Sequence, residues 1–393
     1  MSQPNLPLAG VVVLDLSRLL PGAYGSLLLA DLGADIIKIE DLKGGDYMRW
    51  IPPLVDQYGV HYHATNRNKR SVGLDLAAPK GKAVFRRLAA RADVVLESFR
   101  PGVMDRLGLG YPILQAHNPR LVYCAISGYG QDGPYRRRVG HDLNYIAIAG
   151  LLGATGEAGG PPVMPAVQIA DLGGSYAAAV GILAALVGRG TDGRGRRVDI
   201  SMTEVALSFM TTHLARHWFS GPAEPRGQGM LSGGLACYNI YPTRDGKYLA
   251  LGALEPKFWS AFLTRAGRGD LIDRQMDEDQ AALHAEVAAI VHQRTRDEWM
   301  ALLEGHEVCC EPVYAMAEVA ADPQLQAREV LLRDPGVPVI HVRTPVRLPD
   351  GPTPQPRTAP AYGADTRPVL REFGFTDAEI ADLQAAGIVP AGH

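Results

Sequence analysis

The sequence predicts an α/β protein whose first domain is built on a parallel sheet. Its first forty residues follow a strand, helix, strand pattern, in which apolar segments 11–16 and 34–40 flank the apolar run 19–33. Further short apolar segments alternate with helical stretches to about residue 130. Such regular alternation is typical of βαβ units, in which helices cover a parallel sheet.

The opening βαβ unit does not favour a dinucleotide cofactor. Its second strand ends in the acidic Glu40, as in dinucleotide-binding units. The turn after the first strand, residues 17–22, has the sequence SRLLPG and lacks the G-x-G-x-x-G pattern that lets a backbone approach a pyrophosphate. We therefore do not expect NAD as a cofactor.

The elements that follow extend this sheet. Residues 71–76, 92–99 and 121–127 are short apolar segments typical of strands. Residues 171–189 predict a long helix from their length and their Ala and Leu content, and residues 191–202 predict a turn followed by a strand.

The chain changes character near residue 220. Residues 221–234 are rich in Gly and Pro and predict a linker, and residues 237–253 predict two strands that turn at Asp245–Gly246. Amphipathic helices follow. The Pro-rich residues 335–362 predict an extended segment, and a last helix is predicted from the capping-box spacing that starts at Thr376.

A chain of 393 residues is too long for one ordinary core, so we expect at least two cores. Residues 1–220 are predicted to form the first part of a large domain, and residues 221–330 a smaller α+β domain. Residues 331–393 are predicted to return to the large domain as an extended segment and a C-terminal helix. The predicted class is therefore α/β with a second, smaller domain.

Composition and charge narrow the possible functions. The chain is 47% hydrophobic and 21% charged, with a formal net charge of −3, which gives no reason to expect nucleic acid as a partner. Its cysteines lack C-x-x-C spacing and lie in apolar surroundings, which predicts buried thiols in a reducing compartment: Cys124, Cys237, Cys309 and Cys310. With no apolar signal segment or 18-residue apolar window, we expect a cytoplasmic protein without membrane binding.

Three predicted helix starts carry residues that are candidates for chemistry. His141 and Asp142 stand together before an apolar run, and Asp142 alone could be a simple helix N-cap. Asp171 precedes two glycines that could let a ligand approach the first amides of a helix. Glu255 precedes a helix predicted to begin at Pro256. Each carboxylate therefore has both a structural and a chemical interpretation.

Basic and histidine clusters are weaker signals. The basic runs 66–70 and 136–138, with Arg100 and Arg106, are either solvated surfaces or charges that neutralise a polyphosphate. His213 and His217 lie four residues apart but lack the glutamate of H-E-x-x-H, which favours a helix surface or interface over a metal site. His61 and His63 are spaced as on a strand or loop.

A series of segments in order along the chain indicates a family. They are LAGVVVLDLSRLLPG, LADLGADIIKIE, NKRSVGLDL, ESFRPGVMDRLGLG, ISGYGQDGPY, GHDLNYIAIAG, ADLGG, GRGRRVDISM, MLSGG, DGKYLALGALEPKFW and REFGFTDAEI. Over nearly its whole length the chain resembles the CaiB/BaiF family, the class III CoA-transferases and their relatives. The likeness is strongest to the racemase branch, which acts on α-methylacyl-CoA.

The resemblance implies a fold, a substrate and a set of site residues. It implies a Rossmann-like large domain, a small domain and an interlocked homodimer, with CoA as part of the substrate and no other cofactor or metal. His141 and Asp171 correspond to the two acid/base groups, and Glu255 to the partner of the histidine. The implied CoA and substrate contacts are Leu74, Asp75, Leu76, Ser98, Phe99, Arg100, Arg106, Gly140, Asp142, Leu143, Asn144 and Tyr145.

Two segments depart from the family pattern. Lys43 stands near the position where relatives commonly place an arginine that contacts CoA. Residues 363–366 have the sequence Gly-Ala-Asp-Thr where the family usually has Gly-Glu-His-Thr.

These residues favour epimerisation at C2 of a 2-methyl-branched acyl-CoA. Inversion next to a thioester carbonyl needs a base on one face and an acid on the other, and His141 with Asp171 supplies both. The alternative is a class III CoA-transferase in which Asp171 forms a mixed anhydride, a mechanism with no evident use for His141. A third possibility is an acyl-CoA binder without turnover.

Overall fold

The computed structural model describes residues 6–221, 224–349 and 355–391. The chain forms two compact units, the first containing Met1–Ala149, Val167–Phe209 and Gln326–His393, and the second Gly150–Ala166 and Met210–Leu325. Part of the predicted linker, residues 222–223, lies outside the described residues, as do residues 350–354 of the predicted extended segment. Each unit has its own core.

The strands alternate with helices over the first two hundred residues. The strands of the described residues are β1 Val12–Asp15, β2 Asp35–Glu40, β3 Leu54–Val55, β4 Tyr58–Gly59, β5 Lys69–Gly73, β6 Val94–Glu97, β7 Val122–Ser127, β8 Arg197–Ser201, β9 Tyr238–Pro242, β10 Tyr248–Gly252, β11 Cys310–Pro312, β12 Leu331–Arg333 and β13 Ile340–Val342.

Most of the helices are short. The α-helices of the same residues are α1 Leu19–Asp31, α2 Val60–Asn66, α3 Pro79–Ala89, α4 Val103–Arg106, α5 Tyr111–His117, α6 Asp142–Ile148, α7 Leu151–Ala154, α8 Ile169–Asp192, α9 Met202–Phe209, α10 Thr211–Ser220, α11 Pro256–Ala266, α12 Gln280–Val291, α13 Arg296–Leu303, α14 Met316–Val319, α15 Pro323–Ala327, α16 Thr366–Glu372 and α17 Asp377–Ala385. One-turn or two-turn 3₁₀ helices occupy Tyr47–Arg49 and Gly269–Arg274.

The first unit is organised around a six-stranded sheet in the order β5-β2-β1-β6-β7-β8. All of its pairings are parallel, with Val13 opposite both Ile36 and Val94. A parallel sheet needs helices on both faces, and strands β2, β6 and β7 are accordingly almost continuously buried, whereas the edge strand β8 is partly exposed. The predicted α/β class and parallel sheet are confirmed.

Helices cover the two faces of this sheet. On one face, alternate strand residues such as Leu14 and Ile37 share a core with α3, α5 and the C-terminal helices α16 and α17. On the other, α1 and α8 pack closely, and the Ser175 hydroxyl donates to the Pro21 carbonyl at 2.7 Å. At this crossing a Cβ on Gly25 would lie 3.2 Å from the Ser175 carbonyl oxygen, so a small residue is needed.

Helix α8 is the longest element of the described residues. Its length and apolar composition would suit a membrane span, yet its small buried residues, including Gly174 and Ala178, pack against α1 and strands β7 and β8. One face of α8 is therefore packed within the α/β unit, while Val180 and Val187 on the helix are exposed.

The second unit has an antiparallel sheet in the order β11-β10-β9. The predicted strand pair is confirmed: Thr243 and Lys247 close the turn at Asp245–Gly246, where Gly246 has a φ of +74° that favours glycine. The core of this unit is aromatic and aliphatic, with Phe262 stacked on Trp299.

The C-terminal residues return to the first unit and close its edge strand. The Ser71 amide donates to Asp365 Oδ2 at 2.8 Å, and the Gly73 amide donates to Thr366 Oγ1 at 3.1 Å. The departure of residues 363–366 from the family pattern therefore lies in a segment that satisfies the free edge of β5. Farther on, Thr376 caps α17 as predicted, accepting from the Glu379 amide at 3.2 Å.

Candidate active site

His141 is the N-cap residue of α6. Its amide donates to Asn144 Oδ1 at 3.0 Å, and its carbonyl accepts from the Asn144 amide at 2.8 Å. The main chain of His141 is thus fixed at the helix start, while its imidazole stays exposed. The interpretation of Asp142 as the N-cap of this helix is wrong, because Asp142 is the first residue inside α6.

The Asp142 carboxylate caps a different helix. Its Oδ1 accepts from the amides of Ala170 at 2.6 Å and Asp171 at 3.1 Å, both in the first turn of α8. Helix amides without an intrahelical partner favour a carboxylate at this position. Through Asp142, the helix that begins beside His141 is therefore bonded to the helix that carries Asp171.

Asp171 lies in the first turn of α8, which begins two residues before the predicted start. Burial of its carboxyl group and, to a smaller extent, the nearby negative charge of Asp142 together raise the pKa of Asp171 to about 7. Among the described residues we find no side chain that donates to this carboxylate. Near neutral pH, Asp171 can therefore either accept or deliver a proton.

The two glycines after Asp171 do not leave room for a ligand. A Cβ on Gly173 would lie 2.8 Å from Val205 Cγ1, and one on Gly174 would lie 3.0 Å from Met202 Cγ, both on α9. Both glycines are buried within the helix. The expectation that they expose amides to a ligand is wrong, because the space is taken by α9.

A cavity of about 630 Å³ in the first unit is lined by both His141 and Asp171. Its other walls are largely apolar: Leu19, Leu20, Met48, Ile51, Ala64, Val167, Leu172, Ile340 and Val342, with Tyr24, His61, Thr65, Arg67 and Gln168 as polar members. A largely apolar cavity with a few convergent polar groups is typical of a small-molecule site. The structure thus brings two of the three predicted catalytic residues to one cavity.

Several of these wall residues were not predicted. His61 lies on α2, so its expected placement on a strand or loop is wrong. The spacing of His61, Ala64 and Thr65 on one helical face is the signal that could have placed them together. Ile340 and Val342 come from a strand far along the chain, and no local pattern relates them to His141.

Glu255 belongs to the second unit. It is the N-cap residue of α11, which begins at Pro256 as predicted, and its carbonyl accepts from the Phe258 amide at 3.0 Å. Its side chain is exposed. The partnership of Glu255 with His141 stays a prediction.

The predicted CoA contacts that follow β5 and β6 lie beyond the carboxyl ends of these parallel strands. Leu74 is buried, Asp75 and Leu76 are half-buried, and Ser98 and Phe99 are half-buried beside the exposed Arg100. Arg106 is also exposed, at the end of α4. Crevices at this edge of a parallel sheet are where ligands of α/β proteins bind.

Arg18 joins this edge and was missed by the sequence interpretation. Its amide donates to Ser98 Oγ at 3.1 Å, its guanidinium lies 5.8 Å from the centre of the Phe99 ring, and it forms an ion pair with Asp41. The exposed Lys43 follows, with its amide donating to the same carboxylate. Arg18 and Lys43 therefore stand together beside the predicted nucleotide contacts.

The remaining predicted contacts surround His141. The Tyr145 hydroxyl donates to the Gly140 carbonyl at 2.5 Å, and its buried ring meets Tyr129 edge to face. Leu143 and Asn144 have exposed side chains on the first turn of α6.

The basic run 66–70 neither faces solvent nor offers free charge to a polyphosphate. Arg67 is buried against Asp31, Lys69 Nζ lies 3.5 Å from Asp15 Oδ2, and Arg70 pairs with Asp35 and Glu372. Both predicted interpretations of this run are therefore wrong. The arginines at 136–138 are exposed.

Cysteines and the spaced histidines add no further site. Cys124, Cys237 and Cys310 are buried as predicted, whereas Cys309 is exposed. His213 and His217 are exposed on α10, as predicted for a helix surface. In the described parts of the chain, no group of three His, Cys, Asp or Glu residues is arranged to hold a metal ion.

Comparison with known proteins identifies the family. Residues 8–366 match the profile of a family described as CoA-transferase family III. The chain belongs to CoA-transferase family III. Among solved structures, this family III chain is similar to a CaiB/BaiF family protein from Brucella suis, with a TM-score of 0.82, 31% identity, and coverage of 94% of this chain and 100% of that one.

Two human relatives of this family III chain have different names. It is 35% identical to the alpha-methylacyl-CoA racemase of Homo sapiens, over 98% of each chain. It is 33% identical to the succinyl-CoA:glutarate CoA-transferase of Homo sapiens, over 98% of this chain and 90% of the relative. Membership of family III is therefore compatible with either an isomerase or a transferase.

Proposed function

We propose that the protein epimerises C2 of 2-methyl-branched acyl-CoA thioesters. The observation that carries the proposal is the shared cavity of His141 and Asp171, whose walls are mostly hydrocarbon. The similarity to an alpha-methylacyl-CoA racemase over 98% of the chain supports it.

The reaction removes one proton from C2 and adds another to the same carbon. A basic group removes the proton from C2, the electron pair of the C–H bond passes into the thioester as an enolate, and an acidic group delivers a proton to the opposite face. His141 and Asp171 fill these two roles and exchange them in the reverse direction. Because the pKa of Asp171 is about 7, its carboxyl group is suited to both states.

An enolate also needs a hydrogen-bond donor for its oxygen. Two sets of amides lie close enough in sequence to the two acid/base residues to be candidates, those near Gly173 and Gly174 and that of Asp142. The glycine amides lie inside α8, and the preceding amides of Ala170 and Asp171 already donate to Asp142. The amide of Asp142, next to His141, remains as the candidate donor.

Transfer of CoA through an Asp171 anhydride is the second candidate function. Asp171 lines the cavity, as a nucleophile must, and a relative at 33% identity is named a CoA-transferase for succinate and glutarate. A dicarboxylate in this cavity would need a cation, but the charge of Arg67 is already balanced by Asp31. The apolar walls therefore favour a hydrocarbon acyl group.

The test is hydrogen exchange at C2 in heavy water. A single enantiomer of a 2-methylacyl-CoA is incubated with the protein, and deuterium incorporation with inversion is followed by mass spectrometry and chiral chromatography. We expect both, and a His141→Ala variant should lose them. Binding of the thioester without exchange, or an unchanged rate in this variant, would overturn the proposal.

The same samples distinguish the transferase. An acceptor acid is added, and hydroxylamine is used to trap an acyl group on Asp171. Acyl exchange that depends on the acceptor, with a modified Asp171, would identify a transferase. Because CoA is part of the substrate in both reactions, the proposal requires no further cofactor; a homodimer and a cytoplasmic location stay predictions.

A further inference from the structure

One wall of the cavity is the hairpin of β12 and β13. The strands pair antiparallel, with Leu331 opposite Val342 and Arg333 opposite Ile340. Side chains alternate along a strand, so Ile340 and Val342 share one face and His341 points to the other. Ile340 and Val342 line the cavity and are 59% and 62% exposed, whereas His341 is 1% exposed.

The buried face of the hairpin carries hydrogen bonds that join its own residues to one another and to the segment that follows. His341 Nε2 lies 2.7 Å from Asp334 Oδ2, and the Thr358 hydroxyl donates to Asp334 Oδ1 at 2.6 Å. The amides of Gly336 and Val337 donate to the same Oδ1. Burial alone would raise the pKa of Asp334, but these hydrogen bonds hold it below its ordinary value. These bonds therefore hold the two strands and their turn together and, through Thr358, join the hairpin to the segment that follows it.

A further hydrogen bond joins the main chain of the hairpin to a neighbouring cavity residue. Arg67, which follows α2, donates from Nη2 to the Val342 carbonyl at 3.2 Å while it pairs with Asp31. Arg67 also lines the cavity. The strand that presents Ile340 and Val342 is thus bonded to the residue that follows α2, and His61 and Thr65 of α2 also line the cavity.

We propose that Ile340 and Val342 form a fixed wall that selects the length and bulk of the acyl chain. This inference rests on the proposed acyl-CoA substrate and names the residues that choose among such substrates. Both side chains expose hydrocarbon on the face that meets the cavity, and an acyl chain there would remove it from water. Since the hairpin is bonded to Thr358 and to Arg67, which lie outside its two strands, we expect it to stay in place when a longer acyl chain is bound.

The test replaces these side chains and varies the substrate. Ile340→Ala and Val342→Ala enlarge the cavity, whereas Ile340→Phe reduces it. The kcat/KM for exchange is measured on 2-methylacyl-CoA thioesters of increasing chain length. Because a methylene in an apolar pocket changes discrimination by roughly 10- to 200-fold, we expect the alanine variants to shift the long-to-short preference upward by about tenfold and Ile340→Phe to shift it downward.

Val346→Ala is the matched control. Val346 is half exposed on the same segment but does not line the cavity. Its chain-length preference should equal that of the unmodified protein, and thermal melting should show that all the variants fold. An unchanged preference in both alanine variants, or an equal shift in Val346→Ala, would overturn the inference.

Binding of unreactive thioether analogues separates this inference from the proposed function. S-alkyl-CoA compounds of the same chain lengths are titrated by calorimetry, a readout that needs no catalysis. If the unmodified protein shows no exchange but the variants bind analogues with a shifted dependence on chain length, the proposed epimerase activity is wrong and the role of Ile340 and Val342 stands. Binding whose dependence on chain length is unaffected by Ile340 and Val342 would remove the wall even if exchange is observed.

Discussion

The two units differ in what they bury. Below the cavity, the first unit buries a cluster of charged side chains, which are Asp15, Lys38, Glu40, Asp46, Arg49 and Lys69. The core of the second unit is mostly apolar, with the indole N–H groups of Trp259 and Trp299 donating to carbonyls, and its one strongly buried arginine among the described residues, Arg296, pairs with Glu318 at the edge of that core. An apolar core is the less costly way to stabilise a fold, because buried charges must be desolvated. The charges therefore need another explanation.

The buried charges hold the turn that forms the cavity wall. Lys38 Nζ lies 2.8 Å from Asp46 Oδ2 and donates to the Ser17 carbonyl at 2.9 Å. Asp46 Oδ1 accepts from the amide of Leu19, whose φ of +61° is unfavourable for a leucine. Leu19 lines the cavity. We infer that the buried charges of the first unit support a strained turn, whereas the apolar core of the second unit contributes to the stability of the fold.

Lys38→Met should have the largest effect. The substitution keeps most of the length of the side chain but leaves Asp46 without its buried counterion, which should cost about 3–5 kcal/mol in the free energy of unfolding. Deuterium exchange per folded molecule should also fall, because the turn at Leu19 loses its support. Urea unfolding and the exchange assay measure the two effects, and normal stability with normal exchange would contradict this account of the charges.

Asp142→Asn should have a smaller effect on stability and a specific effect on pH dependence. Asparagine keeps an oxygen that can accept from the Ala170 and Asp171 amides, so only the interaction of the charge with the helix start is lost, which should cost about 0.3–2 kcal/mol. The Asp142 charge disfavours a second negative charge on Asp171, so its removal should lower the pKa of Asp171. For the enantiomer whose proton Asp171 removes, the rising limb of the exchange rate should move to lower pH.

The matched control is Asp132→Asn, which removes an exposed carboxylate outside the cavity. Its pH profile should equal that of the unmodified protein. If the rising limb of the exchange rate stays at the same pH in Asp142→Asn, the charge of Asp142 does not raise the pKa of Asp171.

Ile290→Val tests the apolar side of the comparison. Ile290 is buried in the second core, and the lost methylene should reduce the free energy of unfolding by about 0.5–1.5 kcal/mol. Exchange per folded molecule should not change, because no charge or cavity wall is altered. A selective loss of exchange would show that the two interiors do not divide their roles in this way.

Arg244→Ala should have the smallest effect. Arg244 pairs with Glu298 at 2.7 Å, but both side chains are about half exposed, and such surface pairs contribute about 0–1 kcal/mol. Urea unfolding should hardly distinguish this variant from the unmodified protein. A loss as large as that of Lys38→Met would mean that burial does not decide the cost of removing a counterion here.

Local patterns predicted much of this molecule. Short apolar runs predicted the parallel strands, and the helix starts near Asp142, Asp171 and Glu255 were predicted to within two residues. Long-range pairing was not. Asp142 was predicted to cap its own helix because the amides that donate to its carboxylate lie 28 and 29 residues away in the sequence.

The basic run 66–70 shows the same limit. Its charges suggested solvent or phosphate, because its counterions at Asp15, Asp31 and Asp35 come from other elements of the sheet unit. The contribution of Ile340 and Val342 was equally hidden, since their strand follows the whole second unit. Sequence periodicity identifies which side chains are buried or exposed in an element, but not which distant element they meet.

The carboxylate of Asp142 has a practical consequence for protein engineering. Grafting His141 and Asp171 alone onto another scaffold would transplant two side chains without the brace between their helices. A faithful transplant would have to carry both helix beginnings and their cross-connection as one piece, and random libraries that vary either segment separately should yield few working variants.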